Sequence, residues 1–131
     1  MDMQGALRAR LLATPQVTAL VAQRVDWVIR PQTAALPAVT LQTISGDRPQ
    51  THAGFEEMRT ARVQCDVWAT TYASARAITE AIVRALAPKA ESNGVRFGRM
   101  FFEGDRDLLD TTATTPIHRT SLDLIVWHAQ A

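Results

Sequence analysis

The stretch RTARVQCDVWA, residues 59–69, followed by TTYASARAITEAIVRALAP, residues 70–88, decides the fold. In its first half Val63, Cys65, Val67 and Ala69 line one side of an extended chain, and Arg62, Gln64 and Asp66 line the other. That period of two is the mark of a strand with one buried face. In the second half the period changes to that of a helix. Thr70 or Thr71 supplies the N-cap, Ala75, Ile78, Ile82 and Leu86 form the apolar stripe, and Pro88 ends the element near Ala87. Arg76, Glu80 and Arg84 stand four apart on the wet face, each opposite-charge pair adding roughly 0.2–0.5 kcal/mol. A strand that feeds a helix packed on its own sheet needs a right-handed crossover to a parallel strand.

That parallel strand is expected downstream. Ser92-Asn93-Gly94 marks a turn, and Val95 to Glu103 reads as a strand carrying Phe97, Phe101 and Phe102. Residues 104–116, rich in Asp and Thr, read as a loop. Ile117 to His128 is the last and most apolar strand, and its run through Leu122, Leu124, Ile125, Val126 and Trp127 suits a central place in the sheet. Upstream, Pro37 to Ser45 reads as a strand, and residues 46–57, with Gly46, Pro49 and Gly54, as a long hairpin loop of the kind that often carries function. Residues 30–37 form a further loop. Val25 to Ile29 reads as a short strand, and residues 3–13 and the stretch after Thr14-Pro15 as short helices.

The expected fold is therefore α+β: a four-stranded, mainly antiparallel sheet packed against a long helix, with short N-terminal helices. The expected order is 38–45, 59–69, 117–128, 95–103, with the N-terminal helices either completing the helical layer or covering the other face. Charge alternation predicts the central register. Arg62 opposite Asp123 and Asp66 opposite Arg119 would set unlike charges against each other, with Val63 against Leu122.

The chain has 131 residues, 47% hydrophobic and 21% charged, the size and balance of a single domain spanning 1–131. Fourteen Lys and Arg against thirteen Asp and Glu leave +1, which does not favour a nucleic-acid binder that works by bulk charge. The opening MDMQGALRAR has no apolar core of a secretory signal, and the apolar run near Leu122 falls far short of the ~20 residues of a membrane helix. Cytoplasmic assembly, with Cys65 reduced, is the expectation.

Chemistry-bearing residues are sparse. His52, His118, His128 and Cys65 lack the spacing of a metal site. Cys65 shares the apolar strand face with Val63 and Val67, where a thiol acts as core filler. Glu103, Asp105, Asp107 and Asp110 form an acidic run without the calcium-loop pattern. No phosphate-cradling glycine loop or nucleophile elbow occurs. Scattered arginines leave open a modest basic stripe that a ring would multiply. Trp68 and Trp127 are more telling, because each falls on the polar side of its strand, Trp68 with Gln64 and Asp66, and Trp127 with Asp123 and Ile125. Either the N-terminal helices cover them or a subunit interface does.

Taken together, LRARLLATPQVTALVAQRV, Leu36-Pro37-Ala38-Val39, Ile44-Ser45-Gly46, Arg62-Val63-Gln64-Cys65-Asp66-Val67-Trp68-Ala69 and Arg119-Thr120-Ser121-Leu122-Asp123-Leu124-Ile125-Val126-Trp127 resemble the tail completion, or tail terminator, family of long-tailed phages and gene transfer agents. The resemblance spans nearly the whole chain. Cys65 stands where Val is commoner, and the loop after Gly46 and residues 104–116 match less well. It implies a non-enzymatic structural protein of the particle's head–tail junction, without catalytic residues, metal or cofactor. It also implies a homo-oligomeric ring, usually of six, that caps the tail tube, joins it to the head-side connector and lets DNA pass with non-specific contact. No membrane partner is implied. The residues expected to meet other subunits or partners are Trp68, Ile125, Trp127, Arg48, His52 and Phe55. Competing classes are a small-ligand-binding or enzymatic α+β domain using residues 103–110 and His118, and a non-specific DNA-binding module.

Overall fold

The structure is a computed structural model that describes residues 1–31, 35–47, 50–51, 54–55, 58–112 and 114–131. Among the described residues there are three helices, α1 (Met3–Leu12), α2 (Pro15–Val21) and α3 (Tyr72–Leu86), and nine strands: β1 (Val25–Trp27), β2 (Ala38–Gly46), β3 (Gln50–Thr51), β4 (Gly54–Phe55), β5 (Arg59–Ala69), β6 (Ala90–Ser92), β7 (Val95–Phe97), β8 (Phe101–Asp110) and β9 (Ile117–Gln130). None of the described helices is long and apolar enough to cross a membrane.

The helix boundaries follow their local chemistry. Asp2 caps α1, its carboxylate accepting from the Gly5 N–H at 2.8 Å. Pro15 opens α2 behind Thr14, whose side chain makes no cap bond. Thr71 caps α3, accepting from the Ser74 N–H at 3.1 Å. Ala75, Ile78, Ile82 and Leu86 are the buried stripe, joined by Thr79, whose hydroxyl donates to the Ala75 carbonyl at 2.8 Å. Arg76 and Glu80 form their expected pair at 3.2 Å.

The main sheet has seven strands rather than four. Its order is β1-β2-β5-β9-β7-β6, with β8 also paired to β9. The expected central order is present, and β7 and β8 run parallel to β5 with β9 between, as the crossover rule requires. Three expectations need correction. The strand expected over 95–103 is two strands, broken at Gly98-Arg99-Met100: the Gly98 N–H still donates to the Trp127 carbonyl at 2.8 Å, whereas the Met100 N–H leaves β9 for the Ala87 carbonyl at 3.2 Å. The loop expected from residue 104 begins only after Asp110, since β8 pairs with β9 from Phe101 to Asp110, with an irregularity between Phe102 and Gly104. The third is β6, which forms a hairpin with β7 around Asn93 (φ 51) and Gly94 (φ 81), the two positive-φ positions of a tight hairpin turn.

The β5–β9 register is also corrected. Arg62 faces Ile125, Gln64 faces Asp123, Asp66 faces Ser121 and Trp68 faces Arg119. This is two residues from the charge-matched register, so every side chain keeps its face. The Arg119–Asp66 pair still forms, diagonally, at 3.0 Å. Arg62 instead reaches across β9 to Glu103.

All three helices lie on one face. Leu7, Leu11, Val17, Val21, Ile78 and Ile82 join Val39, Leu41, Val63, Cys65, Val67, Leu122, Leu124 and Val126 in one core. The N-terminal helices thus complete the helical layer and leave the opposite sheet face to solvent. Arg10 ties that layer together. Its guanidinium is buried, donates to the carbonyls of Ala85 (3.1 Å) and Pro88 (2.7 Å) past the end of α3, and lies 5.5 Å over the Phe97 ring.

Cys65 lies opposite Leu41 on one side and Leu122 on the other, with no exposed surface. Burial, and secondarily the Asp66 charge, push its thiol pKa up to about 12, so it stays protonated. Cys65→Val is expected to keep the fold and to cost at most ~1–3 kcal/mol of stability, the range for overfilling a tight core. Thermal unfolding checks the cost. A variant that folds yet loses all particle function would instead give the sulfur a chemical role.

Candidate functional site

The face opposite the helices is built by alternation. Every second residue of β2, β5 and β9 points away from the core, which brings Thr40, Gln64, Asp66, Trp68, Arg119, Ser121, Asp123, Ile125 and Trp127 onto one surface. At one end sits a cluster centred on Trp68. Its indole N–H donates to the Thr40 hydroxyl at 3.0 Å, and two guanidinium groups stack on its ring, Arg119 at 4.8 Å and Arg30 at 5.5 Å. Arg119 also donates to Asp66, whose carboxylate takes two further bonds from the Gln64 amide, at 3.2 and 3.0 Å. This shell buries Asp66, Thr40 and Ser121 without any helix above them. Arg119 Nε and the Ser121 hydroxyl are buried with no partner among the described residues.

At the other end large apolar side chains lie beside the Arg62–Glu103 ion pair, which crosses β9 there. Ile125 pairs across the ladder with Phe101, and Trp127 follows two residues on. Trp127 is 39% and Phe101 56% exposed, large values for aromatic rings in a folded chain. The two tryptophans singled out by the sequence therefore share one face but not one environment. Trp68 is covered by arginines, whereas Trp127 is uncovered, and the N-terminal helices cover neither. Phe101, which the sequence reading left out, belongs with Trp127 and Ile125. Its signal was its position opposite Ile125, which needs the β8–β9 register to see.

The other expected contact residues lie in the connection between β2 and β5. Arg48 and His52 fall outside the described residues. Phe55 belongs to β4, which pairs with β3 as a two-stranded sheet separate from the main one. The connection expected as an irregular loop therefore holds a short ribbon.

The acidic run and the histidines do not converge. Glu103 pairs with Arg62, Asp105 with Arg76 at 3.2 Å, and Asp107 accepts from the Thr120 hydroxyl at 3.3 Å. Asp110 is held below the usual carboxylate range by bonds from the Thr112 hydroxyl and N–H. His118 meets the Tyr72 ring edge-on at 6.3 Å. His128 sits at the far end of β9 beside Arg59, its pKa lowered by burial and then by that cation. His128 and Arg59 line a cleft of about 350 Å³ between the start of α1, the end of β2 and the end of β9, together with Asp2 and Asp47. Among the described residues no three of His, Cys, Asp and Glu are grouped to hold a metal ion.

Comparison with known proteins places this architecture. The family model for tail completion protein gp17 matches residues 5–129. Among solved structures, a chain from the virion of a native gene transfer agent particle superposes with a TM-score of 0.74 at 19% identity, over 97% of this chain and 94% of that one. A second solved chain superposes with a TM-score of 0.59 at 16% identity, over 99% of this chain and 98% of that one. No curated protein matches in sequence.

Proposed function

The chain belongs to the tail completion protein gp17 family, and from that premise we propose that it is a non-enzymatic ring protein of the head–tail junction. In this reading identical copies cap the finished tail tube, meet the head-side connector on the other axial surface, and leave a channel through which DNA passes with non-specific contact. Six copies is the number the family resemblance implies. The fold shared with a chain of a gene transfer agent virion supports placing the protein in such a particle, assembled in the bacterial cytoplasm.

The observation that carries the proposal is the uncovered sheet face. Phe101, Ile125 and Trp127 form an apolar group with no described helix above it, bordered by the Arg62–Glu103 ion pair, while the helices are spent on the other face. Aromatic rings in that setting are typical of the centre of a protein interface, where tryptophan truncation is among the costliest changes. Trp127 and Ile125 are therefore assigned to a subunit or tail-tube contact, and Trp68 with its arginines to the polar margin of the same contact. Arg48, His52 and Phe55 are assigned to a partner contact made by the β2–β5 connection.

Trp127→Glu tests the assignment. The ring is already 39% exposed, so the variant is expected to fold with near-normal thermal stability. A charge in the desolvated centre of an interface costs several kcal/mol, of order 2–4 or more, so particles carrying it should show at least a hundredfold loss of joined, DNA-delivering particles. Normal yield of such particles from a folded Trp127→Glu protein would remove this face from the contact.

A further inference from the structure

Two apolar knobs stand on opposite edges of the main sheet. Beyond β1, Val28 and Ile29 are 72% and 73% exposed. Val28 has φ 71, a left-handed conformation that a β-branched residue adopts only under strain. Its N–H donates to the Leu41 carbonyl at 2.7 Å, so the strained residue is fixed to β2 while its side chain is held in solvent. Two cations flank the knob and are themselves anchored. Arg24 donates through Nε to the Pro37 carbonyl at 2.7 Å, and Arg30 stacks on Trp68.

The opposite edge is β8, which has β9 on one side and no described strand on the other. There Leu108, opposite Arg119, and Leu109, opposite His118, are 41% and 56% exposed and point to opposite faces of the sheet. Asp110, opposite Ile117, shares the face of Leu108. Glu103 and Asp105 are taken up by Arg62 and Arg76, and Asp107 accepts from Thr120 within the field of Arg76, whereas Asp110 accepts from the Thr112 hydroxyl and N–H. Charges along this edge also discourage indiscriminate strand pairing, which leaves recognition to the side chains.

We propose that these edges are the two halves of one contact between copies of this chain: Val28 and Ile29 of one copy pack on Leu108 of the next, with Arg30 facing Asp110. The inference rests on the ring reading and names the lateral surfaces that reading leaves open. The occupant is a second copy because the patches complement each other in kind, exposed aliphatic side chains beside a cation against an exposed aliphatic side chain beside a carboxylate. They lie at opposite edges of one sheet, so a single copy cannot satisfy both. A contact between two different patches on identical copies is heterologous, and it closes into a ring when the rotation between neighbours allows.

Paired cysteines test it in assembled tails. The double variant Ile29→Cys with Leu108→Cys is compared with each single variant after mild oxidation, with thermal unfolding confirming that all three fold. Cys65 has no exposed surface and stays out of the reaction. The expected result is a ladder of covalent multimers in steps of 14.4 kDa from the double variant alone. Cross-linking by either single variant would mean a like-with-like contact and overturn the proposal. Absence of cross-links in tails that hold several copies each would overturn this contact and leave the ring standing. One copy per tail, counted by quantitative mass spectrometry, would overturn the ring and this contact together.

Discussion

Replacing Arg10 with alanine should lower the unfolding free energy by about 2–4 kcal/mol, the largest effect expected from any polar side chain in this protein. A helix ends with carbonyls that have no intrahelical donor, and here α3 stops at Leu86 with Pro88 close behind. Arg10, reaching across from α1, donates to the carbonyls of Ala85 and Pro88. Hydrogen bonds from a charged donor contribute about 1.5–3 kcal/mol, and a cation over an aromatic face roughly 0.5–2 more. Alanine would remove the donor and leave both carbonyls facing a cavity beside Phe97. The guanidinium bears a cost of its own, since burial lowers its pKa and its second terminal nitrogen is buried without a partner among the described residues. For that reason Arg10→Met, which keeps the volume without the charge, should fall between wild type and alanine. Urea unfolding of the three proteins checks the order. A loss below about 0.5 kcal/mol for alanine would mean that the helical layer does not depend on this clasp.

Deleting residues 49–54 should leave the fold intact and abolish the joining of heads to tails. The fold is expected to survive because the ribbon of β3 and β4 pairs only with itself, as a sheet separate from the main one. The β2–β5 ladder is already closed by the Gly46–Ala61 pair and by the Asp47 N–H donating to the Thr60 carbonyl at 2.8 Å. Shortening a surface connection costs little in closure entropy. Function is expected to fail because an extended connection in a small structural subunit is the natural reach toward a neighbour or the tube. Circular dichroism and thermal unfolding report the first half, and counts of joined particles by electron microscopy the second. Normal joining by the deleted protein would take the β2–β5 connection out of the partner contact.

How far the sequence could be read depended on whether a signal was local. The alternation of residues 62–69 and the helical stripe from Ala75 to Leu86 gave β5 and α3 almost to the residue, because each pattern is complete within its own segment. The cysteine's core role followed from the same alternation. Strand β8 was misread because its side chains are exposed on both faces, so no apolar period marks it, and acidic residues at an edge look like a loop. The β6–β7 hairpin had its signal in Asn93-Gly94, but flanking strands of three residues are too short to show a period.

The central register slipped by two because charge matching treats partners as directly opposite. In the fold Arg119 instead lies across from Trp68, stacks on it, and reaches Asp66 diagonally. Stacking and diagonal pairing are tertiary choices that alternation leaves degenerate. The surface was half legible for a related reason. Trp68 and Trp127 could be placed on the polar side from their own strands. Only the assembled sheet shows that arginines cover the first and leave the second bare beside Phe101.

The most direct test of the account is made on tails produced without this protein in an otherwise complete particle. Electron microscopy of those tails would measure their lengths and the fraction joined to heads. The account predicts tails that vary in length and stay separate from filled heads, with joining restored when the purified protein is added back. Tails of normal, uniform length joined to DNA-filled heads in its absence would contradict it.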